Sequence, residues 1–143
     1  MTSDRSYKII KTLFGLAQDV EPVSRARIVA AIVHRNKIIS YGFNQLKTHP
    51  MAARFSKHPE ARFLHAEVSA IRNCIKKHGS DILQKSSLFV ARAKQRNDSD
   101  DFYWGIAKPC IGCSKAISTF KIPTVIYTTN IDNEIGVIFN DFD

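Results

Sequence analysis

The last two apolar segments of the chain are joined by a connection of only about five residues. The strand predicted at Thr124–Thr128 is followed by the polar stretch Asn130–Glu134 and then by the apolar run Ile135–Phe139. A parallel crossover between strands needs a dozen or more residues, whereas an antiparallel hairpin can be much shorter. The last two strands must therefore be antiparallel neighbours if they pair, which restricts the sheet that the chain can build.

The segments before this hairpin alternate between helical and strand patterns. Apolar residues at helical spacing predict helices over Arg5–Val20, Leu64–Lys77 and Ile111–Phe120. Short apolar runs predict strands at Arg27–Ala31, Ile38–Phe43 and Ser87–Ala91, the first two joined by a turn at Asn36. Lys94–Trp104, polar and then aromatic, is predicted as a loop. The order α-ββ-α-β-α-β-β predicts a single three-layer α/β domain over residues 1–143, with a mixed sheet of about five strands.

The composition is that of a globular domain with a basic surface. Hydrophobic residues make up 44% and charged residues 24%, which argues against disorder. The net charge of +8 favours anionic partners such as nucleotides, nucleic acid or anionic lipid. No apolar run approaches the ~18 residues of a membrane span, and the N-terminus lacks the apolar core of a signal peptide. We therefore expect a cytoplasmic protein without a membrane segment, in which three cysteines are too few for a disulfide scaffold.

Two short motifs each begin a predicted helix. The first is His65-Ala66-Glu67 and the second is Pro109-Cys110-Ile111-Gly112-Cys113. Both sulfurs of the second motif would face one side of a first helical turn, where the helix dipole favours the thiolate that zinc binds. His65 could add a nitrogen ligand, and three protein ligands leave the open position of a catalytic zinc. Glu67 is then placed to take a proton from a water that zinc acidifies.

Either motif alone has little specificity. A Cys-x-x-Cys pair also suits structural zinc or a redox pair, but a thioredoxin-like redox motif belongs near the N-terminus and this pair comes late in the chain. The third cysteine, Cys74, lies on the same predicted helix as His65. Because free cysteine is among the most buried residue types, we expect Cys74 to be a core residue.

Together and in this order, the motifs resemble the H-x-E…P-C-x-x-C signature of zinc nucleobase deaminases. The chain is similar, over nearly its whole length, to the cytidine and deoxycytidylate deaminase superfamily, and most of all to phage-encoded members of its dCMP-type branch. The resemblance implies a cytidine-deaminase-like fold, a Zn²⁺ cofactor and a homo-oligomer.

The resemblance also implies roles for individual residues. His65, Cys110 and Cys113 would bind zinc, and Glu67 would be the general acid and base for attack of water at C4 of a cytosine ring. The other implied contacts are with the substrate: the backbone N–H of Ala66 and a carbonyl near Lys108 would hold the base, and Asn44 would hydrogen-bond the sugar. Apart from the resemblance, the aromatic Trp104 precedes the cysteine motif, where it could stack on the base or equally pack in the core.

A long basic loop, Asn44–Arg62, joins the strand that ends near Asn44 to the helix that begins near His65. Loops of this length in compact domains are usually functional or disordered. Since this loop must border the pocket, we interpret its basic side chains as contacts for a substrate phosphate: Lys47, Arg54, Lys57 and Arg62. His49 and His58 have the same possible role or are ordinary solvated loop residues.

Three features depart from the family pattern. Lys108 stands where Glu or Ser is common, Arg96–Phe102 looks inserted between the motifs, and the antiparallel last hairpin is typical of free-cytidine deaminases rather than of the dCMP type. The predicted function is hydrolytic deamination of a cytosine nucleoside or nucleotide, most similar to dCMP or CMP. One alternative is a deaminase of single-stranded nucleic acid or tRNA, and another is a zinc-stabilised nucleic-acid-binding module without turnover.

Overall fold

The computed structural model describes residues 4–22, 26–45, 65–97 and 101–142. Within these ranges the chain forms three α-helices, one 3₁₀ helix and six strands. Their order is α1 Asp4–Ala17, β1 Arg27–His34, β2 Lys37–Phe43, α2 Ala66–His78, the 3₁₀ helix Asp81–Lys85, β3 Ser87–Gln95, β4 Phe102–Gly105, α3 Ile111–Thr119, β5 Thr124–Thr128 and β6 Ile135–Phe139. No helix in the described part of the chain is long and apolar enough to cross a bilayer.

The six strands form one mixed sheet. Five of them follow the order β2-β1-β3-β5-β6, and β4 pairs with the C-terminal end of β3. β1 is antiparallel to both β2 and β3, whereas β3 and β5 are parallel. β5 and β6 are antiparallel, with Thr124 opposite Phe139 and Thr128 opposite Ile135. The prediction of an antiparallel last hairpin is therefore confirmed, as is the mixed three-layer α/β class.

The prediction of a loop over Lys94–Trp104 is wrong, and the sheet has six strands rather than about five. β3 continues to Gln95, and β4 returns antiparallel to it, with Ala93 opposite Trp104 and Gln95 opposite Phe102. The strand pattern is weak in the sequence because β4 has only four residues and the buried face of this part of β3 carries only the small side chains of Ala91 and Ala93. Arg96–Phe102, which looks inserted in the sequence, connects these two strands, and its residues 98–100 lie outside the described part of the chain.

Side chains of the central strands alternate between two apolar clusters, one on each face of the sheet. Toward α2 and α3 point Ala30, Ile32, Leu88 and Val90. Toward α1 point Val29, Ala31, Phe89, Ala91 and Ala93. This alternation follows from the two-residue repeat of a strand and gives the sheet one helix layer on each side. The cluster under α2 and α3 also includes Cys113, so that the first turn of α3 is tied to the core.

Candidate metal and catalytic site

The N-termini of α2 and α3 meet on one face of the sheet. His65 is the N-cap of α2 and Cys110 is the N-cap of α3, both with extended backbone. Their carbonyl oxygens accept the first helical hydrogen bonds, from the N–H groups of Ser69 at 3.0 Å and Ser114 at 2.8 Å. Because both side chains leave the chain just before a helix begins, they lie at the positive ends of two helix dipoles.

Three side chains that could bind a metal ion (the metal-binding side chains) converge at this point: His65, Cys110 and Cys113. The Nδ1 atom of His65 lies 3.3 Å from the sulfur of Cys113 and 3.6 Å from the sulfur of Cys110. All three ligand atoms lie within 4.8 Å of one another. Zinc bonds of about 2.0 to 2.3 Å at tetrahedral angles place such atoms about 3.6 to 3.8 Å apart, and the two nitrogen–sulfur distances are close to this range.

The electrostatics of the group favour a thiolate. The pKa of Cys110 is lowered to about 3, because Cys113 and then His65 hydrogen-bond to its sulfur. The pKa of His65 is raised above its usual value, chiefly through the same contact with Cys110. The pKa of Cys113 is raised, since it lies beside the Cys110 thiolate and is buried. The low pKa of Cys110 favours its thiolate, which is the form of cysteine that binds a divalent metal ion.

Glu67 lies in the first turn of α2 beside this group. It is only 6% exposed, and burial raises the pKa of its carboxyl above the usual value. A side-chain hydrogen bond links it to Cys113. A buried carboxyl of raised pKa is protonated more easily than an exposed one, and its place beside three potential metal ligands suits a general acid and base.

Among the residues predicted to contact substrate, Ala66 and Lys108 lie next to the metal-binding side chains in the chain. Ala66 is buried at the first position of α2, where its N–H has no intrahelical partner. Lys108 is exposed, two residues before Cys110. Asn44 is 6% exposed. Its Oδ1 accepts the N–H of Ile28 at 2.9 Å and its Nδ2 donates to the carbonyl of Ala26 at 2.8 Å.

Trp104 is not brought to this group, which corrects the interpretation that it stacks on a base. Its side chain is buried in the cluster under α1, on the opposite face of the sheet from α2 and α3. Its ring centroid lies 6.4 Å from that of Tyr7 and 6.2 Å from that of Phe14. The alternation of β4 determines this outcome, because Trp104 lies opposite Ala93, which also faces α1.

Cys74 is fully buried in the cluster under α2, as predicted for a core residue. The basic side chains assigned to a substrate phosphate lie outside the described residues, as do two of the histidines: Lys47, His49, Arg54, Lys57, His58 and Arg62.

The sequence analysis missed a set of polar groups that position the segment before Cys110. The fully buried Thr128 donates its hydroxyl to the carbonyl of Gly105 at 2.6 Å and accepts the N–H of Arg92 at 3.0 Å. Its carbonyl accepts the N–H of Ala107 at 2.9 Å. Asn130 and Asp132 accept two further N–H groups of the same segment, from Ile106 at 3.0 Å and Trp104 at 2.8 Å. The signal available in the sequence is the run of Thr, Asn and Asp after β5, residue types that hydrogen-bond to nearby backbone.

Comparison with known proteins gives a family profile and a set of similar folds. The profile described as cytidine and deoxycytidylate deaminase zinc-binding region matches residues 3–129. No curated protein sequence matches the chain.

The solved structures that are similar to the chain include two of one phage enzyme and one of a bacterial enzyme. The dCMP deaminase from the cyanophage S-TIM5 in apo form is 23% identical, with a TM-score of 0.60 and coverage of 89% of this chain and 84% of that chain. The structure of that enzyme in complex with dCMP and dUMP is 20% identical, with a TM-score of 0.57 and coverage of 89% and 82%. A cytidine deaminase from Burkholderia pseudomallei is 17% identical, with a TM-score of 0.63 and coverage of 97% and 93%. At these identities the structures establish a common fold.

Proposed function

Because the chain belongs to the cytidine and deoxycytidylate deaminase family, we propose that this zinc-dependent deaminase acts on a cytosine nucleotide such as dCMP or CMP. The products are the uracil nucleotide and ammonia. One observation carries the proposal: the nitrogen of His65 and the sulfurs of Cys110 and Cys113 converge at zinc-ligand spacing beside the buried carboxyl of Glu67. These three side chains would hold the metal, and three protein ligands are the number found at catalytic rather than structural zinc.

Zinc, when bound, supplies the Lewis acidity that makes water a nucleophile near neutral pH. The chain itself supplies the proton transfers. Glu67 accepts one proton from the attacking water and donates it to N3 of the cytosine ring. It then moves the second water proton to the exocyclic amino group, which leaves C4 as ammonia while the water oxygen remains as the carbonyl of uracil. Burial supports this role, because it raises the pKa of the Glu67 carboxyl above its usual value.

Backbone groups next to the metal ligands would orient the ring. The N–H of Ala66 lacks an intrahelical partner, and the carbonyl of Lys108 lies in the segment that Thr128 and Asn130 hold in place. Asn44 keeps its proposed contact with the sugar. Since each end of its amide already has one backbone partner, it would use its remaining lone pair or N–H.

A panel of cytosine substrates tests the function. We expect chromatography to show uracil product from dCMP or CMP with the zinc-loaded protein. Glu67→Gln should lower kcat by at least about a thousandfold while zinc stays at one ion per chain, because the amide cannot transfer protons. Glu134→Gln, which changes an exposed carboxyl, is the matched control and should keep full activity.

Two results would contradict the proposal. Product from a single-stranded oligonucleotide or tRNA alone would assign the chain to the polynucleotide deaminases. A zinc-loaded protein that deaminates neither mononucleotides, nucleosides nor polynucleotides would exclude the cytosine substrates altogether. The homo-oligomer stays a prediction, which light scattering can measure on the same protein.

A further inference from the structure

The second half of β3 carries two basic side chains on the face of the sheet that holds the metal-binding group. Leu88 and Val90 point into the cluster under α2 and α3, whereas Ala91 and Ala93 point toward α1. Because strand side chains alternate, Arg92 and Lys94 continue the row begun by Leu88 and Val90. Both are partly buried.

A glycine in β4 leaves room for both side chains. Gly105 lies opposite Arg92 in the antiparallel pair of β3 and β4. A Cβ at this glycine would lie 3.0 Å from the Cδ of Arg92 and 3.0 Å from the Cγ of Lys94. The aliphatic stems of both residues therefore lie across the backbone of Gly105, which directs their charged ends along the same face.

Arg92 has no anionic partner in the described part of the chain. Its Nε is shielded from solvent and makes no hydrogen bond there. The ion pair found among the described residues joins Arg96 to Asp101 at 2.9 Å and involves neither Arg92 nor Lys94. A partly buried guanidinium with an unsatisfied N–H is costly unless an anion meets it.

Arg92 lies at the end of the sheet where the site is built. Its N–H bonds to Thr128, which also binds the segment leading to Cys110. In the pair of β1 and β3, Arg92 lies opposite Ile28, whose N–H donates a hydrogen bond to the Oδ1 of Asn44. Asn44, directly after β2, thus lies in one row with Ile28 of β1 and Arg92 of β3, and adjacent strands are about 4.8 Å apart. A ligand whose sugar contacts Asn44 would have its phosphate within reach of this row.

We propose that Arg92, with Lys94 beside it, binds the phosphate monoester of the nucleotide substrate and makes the enzyme prefer nucleotides to nucleosides. This inference rests on the proposed function, and it assigns the phosphate contact to residues outside the basic loop Asn44–Arg62. A guanidinium suits the contact because its planar N–H groups can bind two phosphate oxygens at once.

The test measures binding of dUMP and of deoxyuridine to the zinc-loaded protein by calorimetry, which needs no turnover. For Arg92→Leu we expect the Kd for dUMP to rise about 10- to 100-fold while that for deoxyuridine stays within about twofold. Arg92→Lys keeps the charge, folds with less disturbance and should give an intermediate loss. Arg72→Leu is the matched control: its Nε is also buried without a hydrogen bond, but it lies about two turns beyond His65 along α2.

Kinetics should show the same selectivity in Arg92→Leu. The ratio of kcat/KM for dCMP to that for deoxycytidine should fall by the same factor as the binding of dUMP, mainly through KM. Three results would overturn the inference: equal losses for dUMP and deoxyuridine, unchanged binding of dUMP in both Arg92 variants, or a dUMP affinity of the wild type no higher than that for deoxyuridine.

A trinucleotide with a central cytosine distinguishes a site for a phosphate monoester from a site for an internal phosphodiester. If Arg92→Leu weakened the trinucleotide and left dUMP unaffected, the residue would bind an internal phosphodiester and the monoester assignment would be wrong. Failure of the proposed function has a different signature. A wild type that deaminates no cytosine compound but binds dUMP through Arg92 would disprove the deamination while supporting the phosphate site.

Discussion

Gly42 in β2 lies directly against Ala66 in the first turn of α2: a Cβ at Gly42 would be 2.5 Å from the carbonyl oxygen of Ala66. The same Cβ would lie 2.3 Å from the backbone nitrogen of Ala70. No side chain fits in this gap, so the backbone of the helix rests on the backbone of the strand. Because Ala66 separates His65 from Glu67, this contact sets the position of a metal-binding side chain and of the carboxyl beside it.

Gly42→Ala should therefore disturb both stability and the site. The added methyl must displace helix backbone rather than a flexible side chain, and overpacking of this kind costs about 1 to 3 kcal/mol or more. We expect lower stability in urea unfolding, together with weaker zinc binding and lower activity. Gly15→Ala is the matched control: that glycine lies in α1 with open space around it, so alanine should stabilise the protein by up to about 1 kcal/mol. Similar effects of the two changes would contradict the close contact.

Zinc content should distinguish the three cysteines. Cys110→Ala and Cys113→Ala each remove a sulfur that lies next to the His65 nitrogen, and both should lose most of the bound metal. Cys74→Ala removes a sulfur from the core cluster and should keep one zinc per chain with a modest loss of stability. Metal analysis of the three purified variants measures this directly. Retention of zinc by Cys113→Ala would mean that a different residue completes the site.

Removal of zinc should expose one unusually reactive thiol. Cys110 is exposed and the pKa of its thiol is lowered to about 3, whereas burial contributes to the raised pKa values of Cys74 and Cys113. Cys110 is then already a thiolate at pH 6, so its alkylation rate should change little between pH 8 and pH 6. A thiol at the ordinary pKa of 9.0 would slow by about a hundredfold over this range. Peptide mapping after iodoacetamide treatment identifies the modified cysteine, and added zinc should protect it.

Thr128→Val should destabilise the protein through the segment before Cys110. Valine keeps the shape but leaves the carbonyl of Gly105 and the N–H of Arg92 without their buried partner, which costs about 1 to 3 kcal/mol. Thr128→Ser restores the hydroxyl and should recover most of this loss. Thr119→Val is the control, because that hydroxyl is exposed and bonds only to Lys115 within α3. Equal stability of the Thr128→Val and Thr119→Val variants in thermal unfolding would argue against the positioning role.

The features that the sequence predicts correctly are those encoded over short distances along the chain. Helical periodicity indicates the helices that begin after His65 and Cys110, and the length of the 130–134 connection alone makes β5 and β6 antiparallel. The candidate zinc ligands His65, Cys110 and Cys113 follow from motifs that are equally short. One imidazole nitrogen and two thiol sulfurs at the starts of two helices fit few kinds of functional site other than a metal site. The structure brings these three atoms together.

What only the tertiary structure decides is which distant segments pair, and in which register. The pairing of Ala93 with Trp104 turns a predicted loop into β4 and directs Trp104 toward α1, away from the site. The approach of α2 to Gly42 and the bonds of Thr128 to two other strands arise in the same way. Composition and periodicity depend on residues that are close together in the sequence. Hydrogen bonds between strands, and the contact of a helix with a strand, join residues that are far apart in the chain. The sequence by itself determined the chemistry that two helix starts could support, and the register of the sheet decided which other side chains reach it.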